Sequence, residues 1–387
     1  MPVDRFLLAR RLVQVLLPVC ASLSACASTP DTGDEPDDDE APMVIARSIH
    51  EADEEFPGVE LSERRFVLST QVRATVSAPD SAIARRALAS GFVVADSVER
   101  LLDRLNPGSE IAAVNRAAGT EPVQISPWTQ AAIAAALLWA ERTDGAFDPT
   151  VGPLVDLWGF GASADPRIPD PASIAAARRY IGWARVELDT LAGTVFLPDS
   201  GMELDLRAVM KGFALDRMRE TMLEAGATSG IVDFSGDLVF FGPGPESTGG
   251  LWPIELRNPF DPDDGFAIFE MPPGSASTSS SLKRQVTLGG QRYGHLIDPR
   301  SGRPIDVGLV SVSVFSQDAM TSDILATSLF VLGQRGGPEM VERWPGVDAV
   351  FVTDTPPQSR SAVVVTTGLE EHRQWINPPY RPLDTED

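Results

Sequence analysis

Along residues 61–375 the apolar positions switch repeatedly between a period of two and a period near 3.6, in no fixed alternation. Period-two segments at 65–76 and 185–197 read as strands, and shorter strands fit 230–234, 238–241, 252–257, 310–315 and 349–352. Helical spacing occupies 81–105, 127–142, 171–180, 210–225 and 318–332. Ser126 stands before Pro127 and Asp170 before Pro171 as starts, and Gly226 and Gly333 stand as stops. Hairpin-like strand pairs with helices between them define an α+β architecture, a single large mixed α/β catalytic domain, and argue against a doubly wound parallel sheet. The chain carries 32 Gly and 32 Pro, a turn content that excludes an all-helical bundle, and no 20 to 50 residue period marks a solenoid or propeller.

The ends read differently from the body. Arg5, Arg10 and Arg11 precede an apolar run over 12–23 that is too short to stay in a bilayer, the pattern of a secretory signal over 1–25. It closes on Leu23-Ser24-Ala25-Cys26, which is similar to a bacterial lipobox, so Cys26 is expected to carry the lipid. Cys20 is the only other cysteine; cleavage before Cys26 leaves no thiol for disulfides, metal binding or nucleophilic attack. Ala27 after the cysteine favours the outer membrane, giving a periplasm-facing lipoprotein of the cell envelope. Residues 26–60 are acidic (Asp31, Asp34, Glu35, Asp37, Asp38, Asp39, Glu40) and read as a disordered tether; residues 376–387, with Asn377-Pro378-Pro379, read as a loose tail. A net charge of −23 repels phosphate backbones and anionic lipid, so no nucleic acid is expected as partner, and the membrane is expected to be met through the lipid alone.

The chemistry narrows by exclusion. No Walker loop and no strand–Gly-x-Gly-x-x-Gly–helix fingerprint occurs. His50, His295 and His372 are the only histidines and lie too far apart in sequence for a His-rich metal centre, which leaves His295 for catalysis. Asp233-Phe234-Ser235-Gly236-Asp237 lacks the first glycine of a nucleophile elbow. Four segments retain chemistry suited to a phosphorylated ligand. Asp144-Gly145-Ala146-Phe147-Asp148-Pro149-Thr150 packs carboxylates, a ring and a hydroxyl around a turn, and serves equally as a structural turn with core aromatics. In Asp205-Leu206-Arg207-Ala208-Val209-Met210-Lys211-Gly212 an acid leaves a strand and a lysine opens a helix, facing either an anion or solvent. His295 and Asp298 flank an apolar pair before Pro299, as a functional or a merely satisfied polar turn. Asp323 and Thr327, four apart on one helix face, end in the hard oxygens that Mg²⁺ prefers.

Taken in order, these segments resemble the FAD:protein FMN transferase (ApbE-like) family. The resemblance runs through Pro107-Gly108-Ser109-Glu110-Ile111 with Asn115, the stretches 144–154, 158–161, 205–216, 230–237 and 277–281, then 295–302 and 323–327. It implies an enzyme that binds FAD with Mg²⁺ and transfers FMN to a Ser or Thr hydroxyl of an exported acceptor protein, releasing AMP and leaving a phosphoester. Carried over by position, Asp323, Thr327 and the Ala208 carbonyl would hold Mg²⁺, and Ala146, Phe147, Asp148, Asp205, Lys211 and Ile297 would bind FAD. His295 is then the candidate general base, with Asp298 as competitor. Two alternatives are an FAD pyrophosphatase giving free FMN and AMP, and a flavin-binding lipoprotein without catalysis. Several positions depart from the family pattern. Arg207 replaces a small residue and either binds phosphate or obstructs it. Ser235 and Ser280 stand for glycines, Leu68-Ser69 for Met-Gly, and Leu105 for an aromatic or polar residue. A serine in such a place is expected to fit only where the backbone does not need positive φ. Ala225-Gly226-Ala227-Thr228-Ser229 is similar to part of an acceptor motif but reads more simply as a helix-ending turn.

Overall fold

A computed structural model describes residues 44–46, 58–161, 165–282, 285–305, 308–353, 362–375 and 381–382. The signal segment 1–25, Cys26 and most of the expected tether lie outside the described residues, as does most of the expected tail.

The centre is a nine-stranded sheet. Its order is Val59–Val67, Thr70–Ala78, Ser229–Asp233, Leu238–Phe241, Gly274–Ser280, Leu309–Ser316, Asp348–Thr353, Ala362–Val365 and Arg381–Pro382, antiparallel until the last, parallel pair. Among the described residues seven α-helices accompany it: α1 (Ser81–Leu102), α2 (Glu110–Arg116), α3 (Pro127–Arg142), α4 (Gly152–Leu157), α5 (Pro171–Arg178), α6 (Arg207–Glu224) and α7 (Ala319–Val341). The sheet is buried on both faces, so its central strands alternate between two cores rather than between core and water. Val232, Val239, Phe241 and Phe351 enter the core shared with α1, α6 and α7. Ile231, Leu238, Phe240, Val350 and Val352 enter the opposite core, against a four-stranded sheet of Val44–Ala46, Trp252–Asn258, Asp261–Met271 and Arg373–Trp375. The architecture is mixed α/β with antiparallel sheets.

Local chemistry sets most boundaries. Asp80, Ser109, Ser126, Asp170 and Asp318 each accept backbone N–H groups in the first turn of the helix that follows. The 65–76 segment is two strands of a hairpin, because Leu68 and Ser69 turn the chain at φ 54 and 58. Helix α7 runs on to Val341, eight residues past the expected stop; Gly333, at φ 74, marks a kink and not an end. Two boundaries differ from expectation. Val44–Ala46, within the expected tether, pairs with Ile254–Leu256, since an apolar triplet can cover an open sheet edge. Arg381–Pro382, within the expected tail, pairs with Ala362–Val363.

Candidate active site

The site forms where α6 crosses the N-terminal turns of α7, and three contacts hold that crossing. Gly212 is the closest approach: a Cβ there would stand 2.3 Å from the Ala319 carbonyl oxygen and 2.6 Å from Met320 Cα. The Gly212 N–H donates to Asp323 Oδ2 at 2.9 Å. Asp216, one turn further along α6, accepts the N–H groups of Ala319 and Met320, both at 2.9 Å.

Sequence reasoning assigned Asp216 no role, yet it is the tie between the two helices. Burial pushes its carboxyl up to about 6, against the two N–H bonds and Arg219. A carboxyl raised in the folded state contributes stability that is complete below the unfolded value and lost as pH rises through the folded one. A shift from 3.8 to about 6 therefore removes roughly 3 kcal/mol between pH 4 and 7. Chemical denaturation across that range is expected to show a shallower pH slope for Asp216→Asn than for the wild type, with the variant less stable at pH 4 because one N–H loses its acceptor. Equal slopes would show that Asp216 does not titrate there.

Asp323 is buried, and burial raises its pKa strongly; Asp237 adds to the rise, whereas Lys211 and the Gly212 N–H oppose it. The Lys211 ammonium is paired with Asp237, which the 234–237 loop brings to the start of Leu238–Phe241. Half-buried Lys211 and buried Asp237 and Asp323 thus form one charge cluster, of which Asp237 appeared in the sequence only within a motif. Thr327 follows on the same face of α7, its Oγ1 3.4 Å from Ser279 Oγ. Ala208, whose carbonyl the resemblance assigns to metal, has non-helical φ −86 and ψ 16, a break in the first turn of α6. Among the described residues no cluster of three or more His, Cys, Asp or Glu could hold a metal. A cation here would rely on one carboxylate with hydroxyl and carbonyl oxygens, a donor set that suits a hard cation.

A second group surrounds Asp205. Asn115 clamps residue 204, donating to the Leu204 carbonyl at 2.9 Å and accepting its N–H at 2.8 Å, which fixes Asp205 just before α6; the expected strand before it is only an isolated bridge at Glu203. Asp205 Oδ2 takes Arg104 Nε at 3.0 Å and Arg207 Nη2 at 2.7 Å, and Oδ1 takes the Arg207 N–H and Nε. Burial alone would raise its pKa; the two guanidiniums outweigh burial and hold it below the usual carboxylate range. Arg104 also meets Asp156 and Glu203.

The 144–150 turn is a built structure. Asp144 and Gly145 end α3 at φ 49 and 70, and the Phe147 N–H donates to Thr143. Asp148 accepts the Thr150 hydroxyl at 2.6 Å and the Trp183 N–H at 3.1 Å; burial nevertheless raises its pKa. Ala146 and Phe147 are buried beside it. Ile297 is buried with Leu154, Val155, Trp158 and Ile174, while Leu296 packs on the main core. His295, half-buried, precedes this pair. Asp298 is engaged within its own turn, accepting the Arg300 N–H and Nε at 2.9 Å. Trp158 Nε1 donates to the Gly302 carbonyl and Arg207 Nη1 to the Phe160 carbonyl, so the 158–160, 205–211 and 295–302 segments adjoin.

The departures sort themselves. Ser280 ends a regular strand and its hydroxyl accepts the Leu282 N–H, with no positive φ. Ser235 does sit at φ 52, contrary to the condition expected for its fit, and hydrogen bonds to Thr70 and the Gln71 carbonyl offset that strain. Leu105 is exposed. Thr228 directs its N–H and hydroxyl to the Ser77 carbonyl, as a turn residue does.

Fold and site together are those of an α+β enzyme with two buried carboxylates and a half-buried lysine at a helix crossing. Residues 68–351 match the ApbE family, and the chain belongs to it. A Klebsiella pneumoniae protein named FAD:protein FMN transferase is 34% identical over 275 residues, 71% of this chain and 83% of its own length. A Salmonella typhimurium protein of the same name is 33% identical over 298 residues, 76% of this chain and 80% of its own. Among solved structures, the ApbE protein of Thermotoga maritima matches with TM-score 0.72 at 29% identity, covering 81% of this chain and 99% of that one. The flavin transferase ApbE from Vibrio cholerae matches with TM-score 0.72 at 25% identity, covering 82% and 100%.

Proposed function

We propose that this chain is an FAD:protein FMN transferase acting on an exported acceptor protein. The observation that carries the reading is the cluster of half-buried Lys211 with buried Asp237 and Asp323 at the α6–α7 crossing, within a chain similar over most of its length to proteins of that name. An acceptor Ser or Thr oxygen attacks the phosphorus on the FMN side of FAD. The bond from that phosphorus to the bridging oxygen breaks, and AMP leaves with the electron pair. Asp323, Thr327 and the Ala208 carbonyl would hold Mg²⁺, which would supply charge neutralisation for the phosphates. Lys211 adds a fixed positive charge, and Ala146, Phe147 and Ile297 provide the apolar wall for the flavin.

His295 takes the hydroxyl proton. Its competitor Asp298 is committed to Arg300 and the turn, which leaves the imidazole as the better-suited base. Asp148 and Asp205 act as positioning groups, since their carboxylates are already satisfied by Thr150, Trp183, Arg104 and Arg207. Cys26 carries the lipid that holds the enzyme at the envelope, facing the periplasm from the outer membrane.

The test follows AMP, free FMN and protein-bound flavin together, with FAD and Mg²⁺, with and without an exported flavoprotein acceptor. AMP matched by covalent flavin on the acceptor is the expected result. AMP with an equal amount of free FMN would instead assign a pyrophosphatase, and tight FAD binding without AMP a binding protein.

A further inference from the structure

We propose that Arg207 is the group this chain presents to the FAD pyrophosphate from the Asp205 position, with Asp205 serving to position it. This rests on the flavin-transferase reading and adds to it a residue that departs from the family pattern. The resemblance assigns Asp205 to the ligand. In the structure both its oxygens are filled by Arg104 and Arg207 and the residue is 5% exposed, so it has no face left for a ligand.

The Arg207 side chain remains 36% exposed. Arg104, the other guanidinium on Asp205, is 5% exposed and fixed by Asp156, Glu203 and Asp205, so the carboxylate under Arg207 cannot swing away. Nε and Nη2 of Arg207 are spent on Asp205, and Nη1 also donates to the Phe160 carbonyl at 3.3 Å, which sets the guanidinium plane between α6 and the 158–160 segment. A guanidinium has five N–H donors, and this arrangement leaves the outward ones of the fork for an acceptor. Lys211 lies four residues on, one turn along the same helix, and the Leu206 cap position contributes no side chain to the helix start. The Arg207 guanidinium thus stands at the positive end of α6, beside the break at Ala208. The ligand chemistry that matches is a doubly charged pyrophosphate, which a planar guanidinium meets with paired hydrogen bonds. An obstructing arginine would be free to leave; this one is pinned on an otherwise buried platform.

The test titrates the full-length protein with FAD in Mg²⁺ buffer at low and high salt, following flavin fluorescence, and records melting without ligand. Arg207→Gly and Arg207→Gln are each expected to weaken FAD about 10- to 100-fold, the range of a lost charge-assisted contact, and to flatten the salt dependence; both lower the melting temperature, because Asp205 then keeps only the Arg104 guanidinium. Arg207→Lys is expected to fall between, keeping the charge and losing the fork. Unchanged or tighter FAD binding by Arg207→Gly would overturn the proposal in favour of obstruction. Full recovery by Arg207→Gln, or weakening with an unaltered salt slope, would overturn it in favour of a structural strap. A wild type that binds no FAD would remove the functional reading itself, an outcome distinct from each of these.

Discussion

Asp323→Ala is expected to abolish FMN transfer, with a loss of about 10³-fold or more, while the protein stays folded. The rate effect follows from the donor set: Asp323 is the one carboxylate among the three oxygens proposed for Mg²⁺, and removing it takes away several kcal/mol of charge stabilisation at the phosphates. The stability effect is small, because two contributions oppose each other. Burial raises the Asp323 pKa and the Asp237 charge raises it further, so the ionised carboxylate is a cost to the metal-free fold, returned in part by Lys211 and the Gly212 N–H. Without metal the variant should melt close to the wild-type temperature, because relief of the buried charge is offset by a Gly212 N–H left without its acceptor. Adding Mg²⁺ should raise the wild-type melting temperature and leave the variant where it was, because a ligand stabilises only a state that binds it. An active Asp323→Ala, or equal Mg²⁺ shifts in both proteins, would take the cation away from this residue.

Gly212→Ala is expected to be among the most destabilising single substitutions in the chain, by about 3 kcal/mol or more. The new methyl would meet backbone on α7, at 2.3 Å from the Ala319 oxygen, 2.6 Å from Met320 Cα and 2.7 Å from the Ala319 carbonyl carbon. No rotamer change relieves a backbone clash, so the helices must separate. Separation pulls the Gly212 N–H off Asp323 and strains the two bonds at Asp216. Urea denaturation and the transfer assay should therefore fall together. A stable, inactive Gly212→Ala would mean that the glycine is there for the ligand and not for the crossing.

Much of this was legible in the sequence because local signals and tertiary demands agree. Ser126-Pro127 and Asp170-Pro171 start helices as their side chains dictate, and Leu238–Phe241 is a strand as its apolar run suggests. The α+β class follows from hairpins such as Val59–Val67 with Thr70–Ala78, visible as one alternating run whose Leu68-Ser69 turn carries no glycine to announce it. The Asp323–Thr327 pair was legible from spacing alone, since four residues on a helix share a face.

What was hidden depends on chain segments far apart in sequence. Asp237 meets Lys211 across 26 residues, and Asp216 meets α7 across about a hundred. No periodicity marks a carboxylate that caps a distant helix. Gly212 reads as a flexible helix residue until the neighbouring backbone is in place. The strand Asp261–Met271 was missed because Pro262 and Gly265 within it look like turn residues, and its pairing with Trp252–Asn258 accommodates them through register shifts.

The most direct test of the account is tandem mass spectrometry of an exported flavoprotein acceptor after incubation with the full-length protein, FAD and Mg²⁺. The account predicts FMN attached through its phosphate to one Ser or Thr, AMP in equal amount, and no adduct either with Asp323→Ala or when that acceptor hydroxyl is replaced by alanine. FMN found only in solution, or an adduct that persists with Asp323→Ala, would contradict it.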